Sequence, residues 1–274
     1  MKMKLLFLLG FLFMPIIYIP TQGTVPPKER DAGQKQELED INLRWGIKGT
    51  EGIILKKGYL TINYSEDWKI PYWVAYHIST GDLKGKVRRT NDFRPDPELP
   101  TGSRAELSDY KKSGYAKSHH ATPEAFKYDK EAMSTTFLLS TISPQIYQLN
   151  RNLWPALDKE IIYKVAEIGE AWVFSGNLFL DSDDEITEPF EYIGSNRIAV
   201  PTHFFKVILF RDEKSHYSME AYLIPNQRKI SMNPADHLKA VDYIEIKTGY
   251  DFFHKIDNET EDHLESITPH KMRK

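Results

Sequence analysis

No cysteine occurs among the 274 residues. That absence excludes disulfides, thiol nucleophiles and thiolate metal sites, so any metal must sit on oxygen or imidazole ligands. An excess of positive charge is also missing. The formal net charge is -3, whereas a protein that coats nucleic acid is usually basic. A long apolar run is missing too. Lys2 and Lys4 precede an apolar stretch over residues 5–19 that Pro15 interrupts, and a membrane span needs about 20 residues. A basic lead with a short apolar run fits a secretory signal over residues 1–22, giving a secreted or periplasmic protein. No small-x-small triplet marks a cleavage site, so an N-terminal membrane anchor is the alternative. Internal repeats, low-complexity tracts and an interior linker are lacking, and one domain is the simplest organisation.

What is present reads as a folded domain with a polar margin at each end. Hydrophobic residues make up 41% and aromatics 12%, enough to fill a sizeable core. Residues 23–47 carry the charge-rich KERDAGQKQELED stretch and read as a polar spacer. Residues 48–254 read as the domain, and residues 255–274 as a charged tail that frays. Residues 59–64, 72–78, 136–142, 171–179, 204–210 and 217–224 are alternating, β-branched or aromatic runs and predict strands. Leu157, Ile161, Val165 and Ile168 share one face of a helix predicted over residues 153–168. Pro155 fits only its first turn, which leaves Asn152 as the N-cap. A second helix is predicted over residues 234–247. Strands and helices without regular alternation argue for an α+β fold with a mixed, largely antiparallel sheet.

Positive charge is clustered despite the acidic total. Lys84, Lys86, Arg88, Arg89 and Arg94 fall close together, followed by Lys111, Lys112 and Lys117. A local basic strip can hold phosphates, and a solvated basic loop would look the same. Three segments carry the chemistry: GKVRRTNDFRPDP (85–97), SGYAKSHHATPEAF (113–126) and FLLSTISPQIYQLNRNLWPALDKE (137–160).

In their order and spacing these segments resemble the DNA/RNA non-specific endonuclease family, the sugar-nonspecific nucleases with a ββα-metal core. The matching text is Arg89 before NDFRPDP, His119 in YAKSH, Ser143-Pro144-Gln145, and Asn150 followed by Trp154, Leu157 and Asp158. Further matches are WVFSGNLF (172–179), VPTHFFKVIL (200–209), AYLIPNQ (221–227) and VDYIEIKTGYDFF (241–253). The resemblance implies phosphodiester hydrolysis of DNA and RNA, with His119 as the general base. Imidazole suits a base at neutral pH. It implies Asn150 as the direct ligand of Mg²⁺ or Mn²⁺, a hard cation that otherwise keeps its waters. Asp158 would orient metal-bound water, one methylene shorter than the usual Glu. Arg89 would steady the transition-state phosphate, a task that suits guanidinium geometry. Lys117, Arg88 and Arg94 would bind substrate. His120 points to the other face and reads as structural, Trp154 as core, and Ser143 with Gln145 as residues that order the backbone.

The sequence departs from the family pattern at its central motif. DRGH here reads Ala116-Lys117-Ser118-His119. The acid is gone, lysine lacks the arginine fork, and serine does not share the glycine's tolerance of positive φ. Ile162 stands where a second basic residue is common, and Thr141 where an asparagine is common. Altered supporting residues typically cost about 10–100-fold, so slowed hydrolysis is the expectation. A nucleic-acid-binding pseudonuclease without activity is the alternative.

Overall fold

The computed structural model describes residues 40–267. The predicted signal over residues 1–22 and most of the spacer lie outside these residues. In chain order the elements are β1 (Ile47–Lys48), β2 (Ile53–Lys56), β3 (Thr61–Ser65), β4 (Ile70–Ser79), α1 (Leu107–Tyr110), β5 (Ala116–His119), α2 (Lys130–Thr135) and β6 (Ile142–Gln145). There follow α3 (Tyr147–Arg151), α4 (Leu153–Ile168), β7 (Gly169–Leu178), β8 (Tyr192–Ile193), β9 (Ile198–Ala199), β10 (His203–Asp212) and β11 (Tyr217–Pro225). The last are β12 (Leu238–Lys239), α5 (Val241–Thr248), β13 (Asp251–Phe252) and α6 (Asn258–Ser266).

A seven-stranded sheet in the order β12-β11-β10-β7-β4-β3-β2 organises the molecule. Every neighbouring pair in it is antiparallel, so the α+β expectation holds. The strands are apolar on both faces because both are covered. Along β10, Phe204, Ile208 and Phe210 enter one core with Trp154, Leu157, Ile161 and Val165 of the α4 side. Phe205, Val207 and Leu209 enter the other with Val241 and Ile244 of α5. Period-two alternation on the strand thus meets the 3.6-residue stripe on the helix.

The antiparallel pair β5–β6, a hairpin whose strands are joined by residues 120–141 with α2, lies over the α4 face, with His119 opposite Ile142 and Ala116 opposite Gln145. Buried polar contacts seat it on the sheet. The two His120 ring nitrogens bond Ser175 (3.0 Å) and Ser143 (2.9 Å) hydroxyls, and Asn177 Nδ2 donates to Ser143 Oγ (2.8 Å). Gly176 between these partners has no room for a side chain. A Cβ there would lie 2.4 Å from the Tyr72 carbonyl oxygen and 2.3 Å from the Phe205 ring.

Two predicted elements differ in the structure. Residues 136–142 form a 3-10 turn over Leu139–Thr141, not a strand. The threonine hydroxyls bond locally, Thr136 Oγ1 to Met133 O and Thr141 Oγ1 to Leu138 O, which competes with ladder pairing. The helix predicted over residues 234–247 is split. Pro234–His237 is a 3-10 turn capped by Asn233, Leu238 and Lys239 pair with β11, and only α5 is helical. The margins also differ. Residue 47 starts a strand paired to β13, and α6 is a helix capped by Asp257. That helix turns Leu264 toward the second core, so its inward face, absent from a composition count, orders the expected tail.

Candidate active-site cleft

α4 begins where expected, at Leu153 after Asn152, but the Asn152 side chain bonds Gln148 O (2.8 Å) and caps nothing. The short helix α3 precedes it and places Asn150. One cleft of about 960 Å³ opens between the β5–β6 hairpin, α3, α4 and the segment before β5. Its walls include Arg89, Lys117, His119, Asn150 and Asp158 together, five residues the sequence motifs single out.

His119 ends β5 and is held from several sides. Its Nδ1 bonds the Thr136 carbonyl (2.9 Å), which fixes the tautomer with the proton on Nδ1 and leaves Nε2 as the basic nitrogen. Arg89 Nη2 lies 3.3 Å from that Nε2. Trp154 Nε1 donates to the His119 carbonyl (2.9 Å). Burial first, then the Arg89 charge, push the His119 pKa down to about 3, against the opposing bond to Thr136. The imidazole is therefore neutral at neutral pH, the form a base needs.

Asn150 is oriented by a relay. Its Nδ2 donates to Gln145 Oε1 (3.2 Å), and Ser118 Oγ donates to the same oxygen (3.0 Å). The amide nitrogen being tied back, Oδ1 is the atom left for a ligand. Ser118 lies in extended strand without positive φ, so the serine brings no backbone strain and joins the layer behind Asn150.

Asp158 projects from α4 toward a fully buried lysine. Lys206 Nζ lies 3.0 Å from Asp158 Oδ1, donates to His120 O (3.2 Å) and sits 4.6 Å from the Trp154 ring centre. The Asp158–Lys206 pair is close but out of hydrogen-bond alignment, and Oδ1 has no hydrogen-bond partner among the described residues. Burial raises the Asp158 pKa, while Lys206 and a bond from Thr122 oppose the shift.

Matched against family models, residues 42–259 fit DNA/RNA non-specific endonuclease. The chain belongs to the DNA/RNA non-specific endonuclease family. It is similar to a nuclease of Syncephalastrum racemosum, 31% identical, with 92% of this chain and 85% of that protein aligned. Nuclease C1 of Cunninghamella echinulata var. echinulata is 32% identical over 80% of this chain and 89% of its own length. Mitochondrial endonuclease G of Bos taurus is 29% identical, covering 86% and 80%. Among solved structures, EndoG in the EndoG/EndoGI complex superposes with a TM-score of 0.73 at 26% identity, over 80% of this chain and 92% of that one. The family places the chain among the nucleases, hydrolases of phosphodiester bonds.

Two residues expected to bind substrate stand elsewhere in this endonuclease. Arg94 reaches Asp92 (3.0 Å) and the Ser134 carbonyl (3.0 Å), tying the loop before β5 to α2. Arg88 is exposed and does not line the cleft, nor do Lys84, Lys86 or Lys111. In an extended segment neighbouring side chains diverge, so Arg89 enters and Arg88 does not. Two cations the motifs did not flag, Arg151 and Lys159, do line the cleft. Eight residues apart on consecutive helices, they share a side with Asn150 and Asp158. Lys206 was also missed, although a lysine inside the apolar HFFKVILF run is a signal in itself, since lysine is almost never fully buried unless paired.

Proposed function

We propose that the chain is an exported, metal-dependent endonuclease that hydrolyses DNA and RNA, at a rate lowered by the altered DRGH motif. The observation that carries this reading is the convergence of His119, Asn150, Asp158 and Arg89 on one cleft. Endonucleases of this family depend on a divalent metal. The donor set suits a hard ion such as Mg²⁺ or Mn²⁺: an amide oxygen on Asn150, a carboxylate on Asp158 and no thiolate. Bound there, the metal would neutralise charge building on the phosphate and the leaving oxygen.

The protein's residues supply the rest. His119 Nε2 takes a proton from the attacking water while Nδ1–H stays on Thr136 O. The water oxygen bonds to phosphorus as the bond to the leaving oxygen breaks. Arg89 shifts from Nε2 onto a phosphate oxygen, which frees the base on substrate binding. Lys117, Arg151 and Lys159 line the same walls and hold flanking phosphates. Among the described residues no helix is long and apolar enough to cross a membrane, and export rests on the basic and apolar start of the chain.

The test is purified protein incubated with plasmid and with RNA, in Mg²⁺, Mn²⁺ or EDTA. Both substrates should be cut with either metal and neither with EDTA, and His119→Ala should cut nothing. DNA retained on the protein in a salt-sensitive manner but never cut would establish the pseudonuclease instead.

A further inference from the structure

The C-terminal helix α6 turns acids inward where an amphipathic helix places apolar groups. Glu261 and Glu265 are buried, 9% and 6% exposed, one turn apart on the face that also carries Leu264. Like charges at this spacing oppose each other. Facing them, α5 presents Asp242 and Glu245, also one turn apart. One carboxylate oxygen from each of Asp242, Glu245 and Glu265 falls within 4.8 Å of the others. Glu265 Oε1 is buried with no hydrogen-bond partner among the described residues. No lysine, arginine or histidine among the described residues forms an ion pair with these three. Lys48, whose charge reaches Glu261, is taken by Asp251 (2.7 Å).

We propose that Asp242, Glu245 and Glu265 bind a calcium ion that fastens α6 to α5. Carboxylates this close, one buried and two half-buried, must share protons or share a cation, because each bare charge loses hydration and repels the next. Oxygen-only donors of irregular arrangement suit calcium, which accepts several carboxylates and completes its shell with water. The charge balance agrees, since among the described residues these three acids face no countercharge of their own. This site lies on the second core, across the sheet from the cleft. Asp242 and Glu245 lie within the family match and Glu265 just beyond residue 259, where it ends.

The experiment is calorimetric melting of the full chain, stripped with EDTA and returned to chelator-free buffer at pH 8, as CaCl₂ is titrated. Wild type should show a saturable rise in Tm of about 5–10 °C at a hundredfold excess over the dissociation constant. Asn150→Ala, which removes the cleft ligand, should keep that rise. Glu265→Gln should lose it, and Asp242→Asn, at a less buried position, should lose most of it even if Glu265→Gln fails to fold. No saturable rise in wild type overturns the site. So does a rise that survives Asp242→Asn, or one that vanishes in Asn150→Ala and so belongs to the cleft.

Discussion

His119, the proposed base, is held in place by groups behind it in the fold. Its ring is aimed by a backbone carbonyl, its own carbonyl is held by Trp154, and the next carbonyl is held by Lys206. Lys206 in turn faces Asp158. Removing one partner of a buried pair leaves an uncompensated charge and costs about 3–5 kcal/mol. Lys206→Met should therefore melt earlier by that equivalent in chemical denaturation. It should also raise the metal concentration needed for half-maximal cleavage, because Asp158 is driven toward its neutral form. Unchanged metal dependence in a destabilised Lys206→Met would limit the lysine to packing. The histidine makes a second prediction. A base works unprotonated, and burial lowers its pKa to about 3. The acid limb of kcat/KM reports free-enzyme groups, so it should lie well below pH 6.5. An inflection at 6.5 would mean that the ring is solvated in solution.

At the scale of elements, the hairpin β5–β6 is where the family pattern and this sequence part company. That His119, Asn150, Asp158 and Arg89 share one cleft was legible in the sequence, because they stand in a fixed order around short motifs. Arg151 and Lys159 were not legible, because their placement depends on how α3 and α4 turn past each other. Residues 136–142 misled because a β-branched run predicts a strand, whereas its threonine hydroxyls bond locally. The register explains which departures matter. Ser118 sits opposite Ser143 and donates to Gln145, the partner of Asn150. Ser118→Gly should restore the family residue yet lower metal affinity about 10-fold, as lost supporting bonds do. Ala116 and Lys117 line the cleft itself. Lys117 Nζ lies 4.8 Å from the Phe93 ring centre, a place that also accepts a guanidinium. Ala116→Asp with Lys117→Arg should raise metal-dependent cleavage about tenfold or more, since one hydrogen bond to a charged group is worth roughly 1.5–3 kcal/mol. An inert, folded double variant would move the defect to Ile162 or to the short reach of Asp158.

At the scale of the whole molecule, the two sides of the sheet titrate in opposite senses, and the balance sets stability against pH. On the cleft side, burial lowers His119 and His120 to about 3. The unfolded chain binds those protons below about 6.5, so stability is full above that value and lost as pH falls toward 3. On the α6 side, Glu265 and Glu245 are raised to about 9 and about 7. The groups around them are Asp242 on α5, Glu261 on α6, Asp251 on β13 and Lys48 on β1. Here the folded state holds protons that the unfolded state releases above about 4.5, so stability falls as pH rises through 7 and 9. Each unmatched proton changes the slope by about 1.4 kcal/mol per pH unit. Between roughly pH 4.5 and 6.5 the two pairs oppose each other, and the melting temperature should plateau. It should decline on both sides, and Glu265→Gln, which keeps the neutral form at every pH, should tilt the plateau and ease the alkaline decline while leaving the acid decline as it is. Calcium should flatten that same limb and leave the acid limb alone, because it binds the ionised acids and does not touch the histidines. A melting profile across pH 3–9, with and without CaCl₂, separates these contributions, and an alkaline limb indifferent to both the substitution and the ion would show that α6 is held by Leu264 and its neighbours alone.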